Sequence, residues 1–454
     1  MIATSQPSKA RIIVAMPPKQ FFGGNDRHNA EELLASLRKF YPNVFVFDVG
    51  IYVGDSAAEA DSLIADAKAF NADLAIGLPN ASYCMMLDEK RRRQRYEPEP
   101  TRFDMALRWL KGTTPENVFA DVLNVPTVLL WDHIITQPGY LIFGWLPYSV
   151  SASKFGAINR LRRGLDNPRF RHFVPDSGHI TALEDLGIVP KHIRRYVVPA
   201  HTAFLTDEPV SDGRNTNAIL FAGNLNADGR DQFEISERAL VAELNYEMII
   251  SKRSNWAASS WKLLRNATEA RAGRVPALAP DNTFFWSLAN SLLSNLTTAH
   301  RKEVLGRTPL PIAYYGGFAD PQHARTYDGA GHIVHRGSVP FDDLPQLYRS
   351  YRLSVDVTNC PFINGSNAKV LDCFASGGYM LVDWRHDLAE ELGEDIASTF
   401  MYRDREELTA LSDKVIGNAK LRAEVIATMR SKIGRSLTFS HLLRDTIEQT
   451  LGTA

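Results

Sequence analysis

Short unbroken apolar runs alternate along this chain with longer stretches of helical spacing. Arg11–Met16 is an apolar run closed by Pro17 and Pro18, and His28–Phe40 follows with Leu33, Leu34, Leu37 and Phe40 on one helical face. Asn43–Asp48 predicts a second strand, and Ser56–Phe70 a second amphipathic helix. Asp73–Leu78 and Pro126–Trp131 predict a third and fourth strand. Phe170–Pro175 and Arg195–Val198 predict two more, separated by a helix around Ile180–Leu186. Strands alternating with helices imply right-handed crossovers and a parallel sheet.

The pattern then restarts. Thr206–Asn217 is polar and reads as a linker, and Asn217–Gly223 is a new apolar run followed by an Asn/Gly loop, Asn224–Arg230. Asp231–Arg307 is mostly helical, broken by the Pro-containing segment Arg274–Asn282. Pro311–Gly316 and His332–His335 predict strands. Arg352–Asn359 is another strand, Cys360–Asn367 a polar loop, Ala368–Gly378 a short helix closed by glycines, and Tyr379–Asp383 a further strand. The expectation is an α/β chain of two Rossmann-like parallel-sheet domains facing a central cleft. The first would span residues 1–205 and the second 206–435, with a helical insert at about 231–307. A C-terminal helix within 436–454 would pack back across the first domain.

Composition narrows the class of partner. A formal net charge of -1 over 454 residues supplies no global field for nucleic acid or an anionic membrane. No run approaches the roughly 18 apolar residues of a membrane span, and Met1–Ala10 has no apolar core of the signal-peptide kind. The three cysteines, Cys84, Cys360 and Cys373, are widely spaced and form no disulfide framework, which fits a reducing cytoplasm. The 12 histidines show no metal-ligand spacing, so no metal is expected.

The chemistry concentrates in the unit from Arg352 to Asp383. Its polar loop delivers Asn, Gly and Ser to a helix N-terminus, which in open α/β sheets is where a phosphorylated ligand sits. Lys369 falls in the first turn of that helix, where the macrodipole disfavours a cation by roughly 0.3–1 kcal/mol. A bound anion would reverse that penalty. Asp372, three residues on, projects from the same face. A cation for phosphate beside a carboxylate for a sugar hydroxyl suits a nucleotide-sugar diphosphate; a surface ion pair on an ordinary helix is the alternative.

Three passages carry a family resemblance. Val198-Pro199-Ala200-His201 resembles the element closing the N-terminal domain of many GT-B glycosyltransferases, and Leu220-Phe221-Ala222-Gly223-Asn224 the strand and loop opening their second domain. Gly337–Tyr348 through Asp383, with Asn367, Lys369 and Asp372 in an Asn-x-Lys-x-x-Asp spacing, resembles group 1 glycosyltransferase domains of the spore-maturation, CgeB-like type. The resemblance covers about the last quarter of the chain closely and the rest by architecture. It implies a cytoplasmic, metal-independent transferase without a resident cofactor, whose co-substrate is a nucleotide-diphosphate sugar. The acceptor would be a glycan, a lipid-linked saccharide or a protein, not a nucleic acid. By the same resemblance Lys369 would contact the diphosphate and Asp372 the ribose hydroxyls. Gly365, Ser366 and Asn367 would shape the phosphate loop, Gly223 and Asn224 would line the donor site, and Arg230 would be a second phosphate cation. Arg336–Pro340 would border the base. Many retaining relatives carry Glu, seven residues, then Glu; here those positions are Asn364 and Asp372. That departure leaves the anomeric outcome open. It also motivates a rival reading, a degenerate binding domain; the shared architecture separately admits a nucleotide-sugar 2-epimerase.

Outside that unit, Asp132 and His133 follow the fourth strand and would serve as a general base for an acceptor hydroxyl, or as a satisfied Asp–His pair. His201 would touch donor or acceptor from the domain junction. Gly23 and Gly24 permit close backbone approach to a ligand. Asp176–His179 reads as a helix cap. Lys90–Arg95 is the one dense basic run, a solvated loop or a contact for an anionic acceptor, RNA or lipid headgroups at the inner membrane face. Tyr140, Phe143, Trp145 and Tyr148 form an aromatic set suited to core, cleft wall or sugar stacking.

Overall fold

The computed structural model describes residues 9–16, 24–53, 56–77, 119, 123–130, 158, 162, 165–166, 168–189, 191–207, 215, 217–225, 235–316 and 332–452. They form two six-stranded sheets, parallel at every pairing. In the first, β1 (Arg11–Met16), β2 (Asn43–Asp48), β3 (Leu74–Gly77), β4 (Thr127–Leu130), β5 (Phe170–Val174) and β6 (Ile193–Arg195) run in the order β2-β1-β3-β4-β5-β6. In the second, β7 (Ile219–Ala222), β8 (Ile312–Tyr315), β9 (Ile333–His335), β10 (Ser354–Asp356), β11 (Met380–Asp383) and β12 (Met401–Tyr402) run β12-β11-β10-β7-β8-β9. The α/β expectation therefore holds. Two details differ: β6 begins two residues before the expected run, and β12, with only two residues, carries too little pattern to be seen in the sequence.

Burial explains why these segments are strands. Every residue of β3, β4, β7 and β11 is buried, as a parallel sheet covered by helices on both faces requires. Helices α1 (Gly24–Phe40) and α2 (Ala57–Phe70) cover opposite faces of the first sheet: Leu33 and Leu37 share a core with Ile12 and Val14, whereas Ala60 and Ala67 pack with Ile13 and Ala15. Ser56 caps α2 by accepting from the Glu59 N–H, and α3 (Ser177–Asp185) is capped by Asp176. Between β7 and β8 lie α4 (Ile235–Ser254), α5 (Ser260–Ala272) and α6 (Thr283–Leu305), which with the end of the first sheet bury a second core around Trp261, Phe285 and Trp286. The break before α6 contains a single 3-10 turn at Pro276–Leu278.

Two features position the site. In the second sheet the chain steps outward from β7 through β8 to β9, then crosses back to β10 beside β7. The β7–β10 boundary is thus the topological switch point, where the loops leaving two neighbouring strands diverge and open a crevice. The second feature is that the carboxyl edges of the two sheets meet. Asp176, just after β5, accepts from the backbone N–H groups of Ile363 and Asn364 in the loop after β10. Ser177 donates through its N–H and hydroxyl to Asp387, beyond β11.

Candidate functional site at the second switch point

Helix α7 (Lys369–Ala375) starts against this crevice. Asn367 sets its first turn by accepting from the Lys369 N–H at 3.1 Å, while its amide nitrogen donates to Asp356 Oδ2 at 3.0 Å. The last residue of β10 and the first turn of α7 are thereby tied together. The Lys369 ammonium donates to Asp356 Oδ1 at 3.1 Å and to the Ala222 carbonyl at 3.2 Å, so it spans the ends of β10 and β7. It also lies 5.9 Å from the centre of the Phe221 ring. Gly223 allows this approach, since a Cβ there would stand 2.9 Å from the ammonium. Gly316 in turn must be glycine, because a Cβ would stand 1.9 Å from the Gly223 carbonyl oxygen.

A residue that the sequence pattern hides completes the arrangement. Arg301, on α6 and buried, donates through Nε to the Val357 carbonyl at 2.9 Å, and through its other nitrogens to the Asn224 carbonyl and the Asn359 side chain. One guanidinium thus fastens the loops leaving β7 and β10, a fixed multi-donor geometry that arginine supplies and lysine does not. Its position inside a 23-residue amphipathic helix gave no signal beyond a charge on the buried face.

Electrostatics follow from the packing. Burial acts to raise the Asp356 pKa, but Lys369, Arg301 and the hydrogen bonds from Lys369 and Asn367 outweigh it and hold the carboxyl below its usual range. Burial, helped by Arg301, lowers the Lys369 pKa, and Asp356 only partly restores it. Two cations thus face one carboxylate, and the cluster is left with positive charge. Asp356 is 1% exposed, whereas Lys369 keeps 30% of its side-chain surface open, so Lys369 is the cation a ligand can reach. Nearby, the Ser366 hydroxyl is buried without a hydrogen-bond partner among the described residues. On the same carboxyl edge, Arg336 donates its N–H to the Tyr314 carbonyl, and Gly337, at φ 98°, accepts from the Gly316 N–H.

The structure brings together Gly223, Asn224, Ser366, Asn367 and Lys369. It places the others differently. Asp372 does not face the crevice with Lys369: both carboxylate oxygens are engaged by His201, whose N–H donates at 2.8 Å and whose Nδ1 lies 2.9 Å from Oδ2. His201 is itself enclosed by Phe204, Phe341 and Phe439. This pair therefore joins the domains. Gly365 is a close-approach glycine, because a Cβ there would stand 2.2 Å from the Pro175 carbonyl oxygen of the first domain. Asn364 donates to the Ser177 hydroxyl at 2.9 Å, and Asp176 also accepts from its N–H. A carboxylate at 364 would instead face Asp176 and Asp387, which explains the amide. Asp132, His133, Arg230, Gly23, Lys90–Arg95 and the Tyr140–Tyr148 aromatic set lie outside the described residues. Among the described residues no group of three His, Cys, Asp or Glu side chains could hold a metal ion, and no helix is long and apolar enough to cross a membrane.

Residues 292–448, from α6 to the C-terminal helix, match the glycosyl transferase-like family model. A search of curated proteins gave no significant match. Similar solved structures include sucrose-phosphate synthase from Thermosynechococcus elongatus, at 10% identity over 98% of this chain and 100% of that one, with a TM-score of 0.48. Anabaena HepE in complex with UDP-glucose is 12% identical over 98% and 100%, with a TM-score of 0.46. The T4 phage BGT complex with its UDP-glucose substrate is 11% identical over 97% and 98%, with a TM-score of 0.44. Likenesses at this level say nothing of what this chain binds.

Proposed function

We propose that the protein transfers a sugar from a nucleotide-diphosphate sugar to an acceptor, with the donor diphosphate held at the β7–β10 switch point. The observation that carries this reading is the Lys369 ammonium, reachable from the crevice, at the N-terminus of α7 and spanning the ends of two strands. The family match over 292–448 contains that unit and supports transfer chemistry. Within that family, the Asn367, Lys369 and Asp372 spacing favours the CgeB-like type.

In this reading Lys369 exchanges its contact with the Ala222 carbonyl for a phosphate oxygen and takes up the negative charge that develops on the departing diphosphate. The N-terminal N–H groups of α7 and the Ser366 hydroxyl add donors. Arg301 acts as a positioning residue, keeping both loops in place without touching the ligand. The Arg336–Pro340 loop on the same edge borders the base. The acceptor, a glycan, lipid-linked saccharide or protein, enters from the first domain, where Asp132 and His133 follow β4 and would deprotonate its hydroxyl. Protein cations, with no metal, balance the leaving group, and the reaction takes place in the cytoplasm.

The test is a thermal-shift screen against UDP-, GDP-, dTDP- and CMP-sugars, followed by product detection with the nucleotide that binds. Expected is stabilisation by one nucleotide class that is lost in Lys369→Ala and kept in His133→Ala. Turnover should fall by about 10²-fold or more without the base and should survive EDTA. Stabilisation unchanged in Lys369→Ala would remove the donor site from this crevice. Asn364, spent on the domain interface, still favours a second reading, binding without transfer; that reading gives a donor shift with no product under any acceptor.

A further inference from the structure

A separate cavity lies beyond β10, behind the carboxyl ends of β10, β11 and β12 and against the end of α4. Its volume is about 40 Å³, room for roughly three waters or one small tetrahedral ion. Lys252, Trp256, His300, Asp383, Arg385 and Arg403 line it. All of these residues belong to the second domain, and none takes part in the Lys369 crevice.

Its polar groups are unevenly satisfied. His300 is 2% exposed, and among the described residues neither ring nitrogen has a hydrogen-bond partner. Lys252, 6% exposed, donates only to the backbone carbonyls of Trp256 and Ala258; among the described residues no carboxylate pairs with it. Arg385 pairs with Asp383 and donates to the Phe362 carbonyl, yet its Nε is buried without a partner among the described residues. Asp383 is fully used, since its other oxygen accepts from the Thr358 N–H. Arg403 is balanced by Glu394 and Glu407 and stacks 3.5 Å from the Trp384 ring centre. Lys252 and Arg385 therefore share one directly paired carboxylate at the cavity wall; Asp176 and Asp356 act on Arg385 without an ion pair, and none of the three is paired with Lys252. Burial and the Arg385 charge push the Lys252 pKa down to about 8, and the same surroundings push His300 well below its ordinary value.

Buried charge without a counter-charge is costly, and water would satisfy the His300 ring without neutralising the lysine. We propose that this cavity binds a small tetrahedral oxyanion of the phosphate class, held by Lys252, the free edge of Arg385 and a His300 N–H. Such an ion supplies both the missing charge and the missing acceptors. It would also brace the Thr358–Asn367 loop from behind, because Asp383 and Arg385 hold Thr358 and Phe362.

The probe is inorganic phosphate, titrated into the wild-type protein and into Lys369→Ala, which removes any phosphate binding in the donor crevice. Expected is saturable binding in both, weakened about tenfold or more by Lys252→Met, which retains the apolar stem. Soaking wild-type crystals with tungstate gives an independent reading that needs no variant. An anomalous peak between Lys252, His300 and Arg385 supports the site. Absence of that peak, or phosphate binding that follows Lys369 and ignores Lys252, overturns it. Loss of this site would leave the donor proposal standing, and the converse holds as well.

Discussion

At the scale of single residues, the most informative pair is His201 and Asp372. Burial acts to lower the His201 pKa, but the Asp372 charge, its hydrogen bond and Glu32 more than compensate, so the imidazole titrates above its ordinary value. A raised folded pKa means that the folded protein holds this proton more tightly than the unfolded chain. The stabilisation is then fully present below the unfolded value of about 6.5 and is lost as pH rises through the folded value. Thermal stability should therefore fall on going from pH 6 towards pH 9 in the wild type, and this component should be absent from His201→Gln. A pH series of melting curves decides the matter; parallel curves for the two proteins would refute the linkage. Asp372→Asn should cost about 3 kcal/mol, the low end for breaking a buried pair, because the imidazole can go neutral. Its donor affinity should be little changed, in contrast to Lys369→Ala.

At the scale of elements, the joint between domains depends on glycines whose role is to be small. The Pro175 carbonyl lies where a Gly365 Cβ would go, and Ile363 lies 2.4 Å from where a Gly178 Cβ would go. Gly365→Ala should therefore force the loop after β10 away from α3, at about 1–3 kcal/mol as for an overpacked core. Limited proteolysis of the domain joint should accelerate; an unchanged cleavage rate and melting temperature would show that the loop yields without cost. The strands themselves were legible in the sequence because doubly covered parallel strands are apolar throughout, as at Ile12–Ala15 and Leu74–Ile76. The start of α7 was legible for a different reason: a polar Asn/Gly/Ser loop followed by a lysine in an unfavourable first-turn position. What was not legible is where side chains go once elements cross in space. Asp372 has the right helical spacing to accompany Lys369, yet it turns to a histidine 171 residues away. Arg301 reads as one more helix charge until β7 and β10 are seen to lie beneath it.

At the scale of the whole molecule, the chain closes on itself. The C-terminal helix α9 follows α8 (Ala419–Ser436), spans Phe439–Leu451, and buries Phe439, Leu443 and Ile447 in the core of the first sheet, beside Leu33, Leu37 and Val128. Just before it, Ala200 and Thr438 form a parallel bridge, and the Ala200 N–H donates to the Leu437 carbonyl at 2.9 Å. The first domain thus completes its core with residues far along the chain from its own strands. Burying three such side chains is worth roughly 5–9 kcal/mol, comparable to the whole stability of a typical domain. Leu443→Ala should lose about 2–5 kcal/mol through the lost methyls and the cavity they leave. The loss should fall on the first domain, since Leu443 sits in its core and the second domain keeps its own around β7, β10 and β11. Hydrogen exchange distinguishes the outcomes. Selective loss of protection in β1, β3 and β4 would show that the C-terminal helix is a structural part of the first domain. Equal loss in both sheets would mean that the two domains unfold as one unit, and that the interface at Asp176, Ser177 and Asp387 couples them more strongly than their separate cores imply.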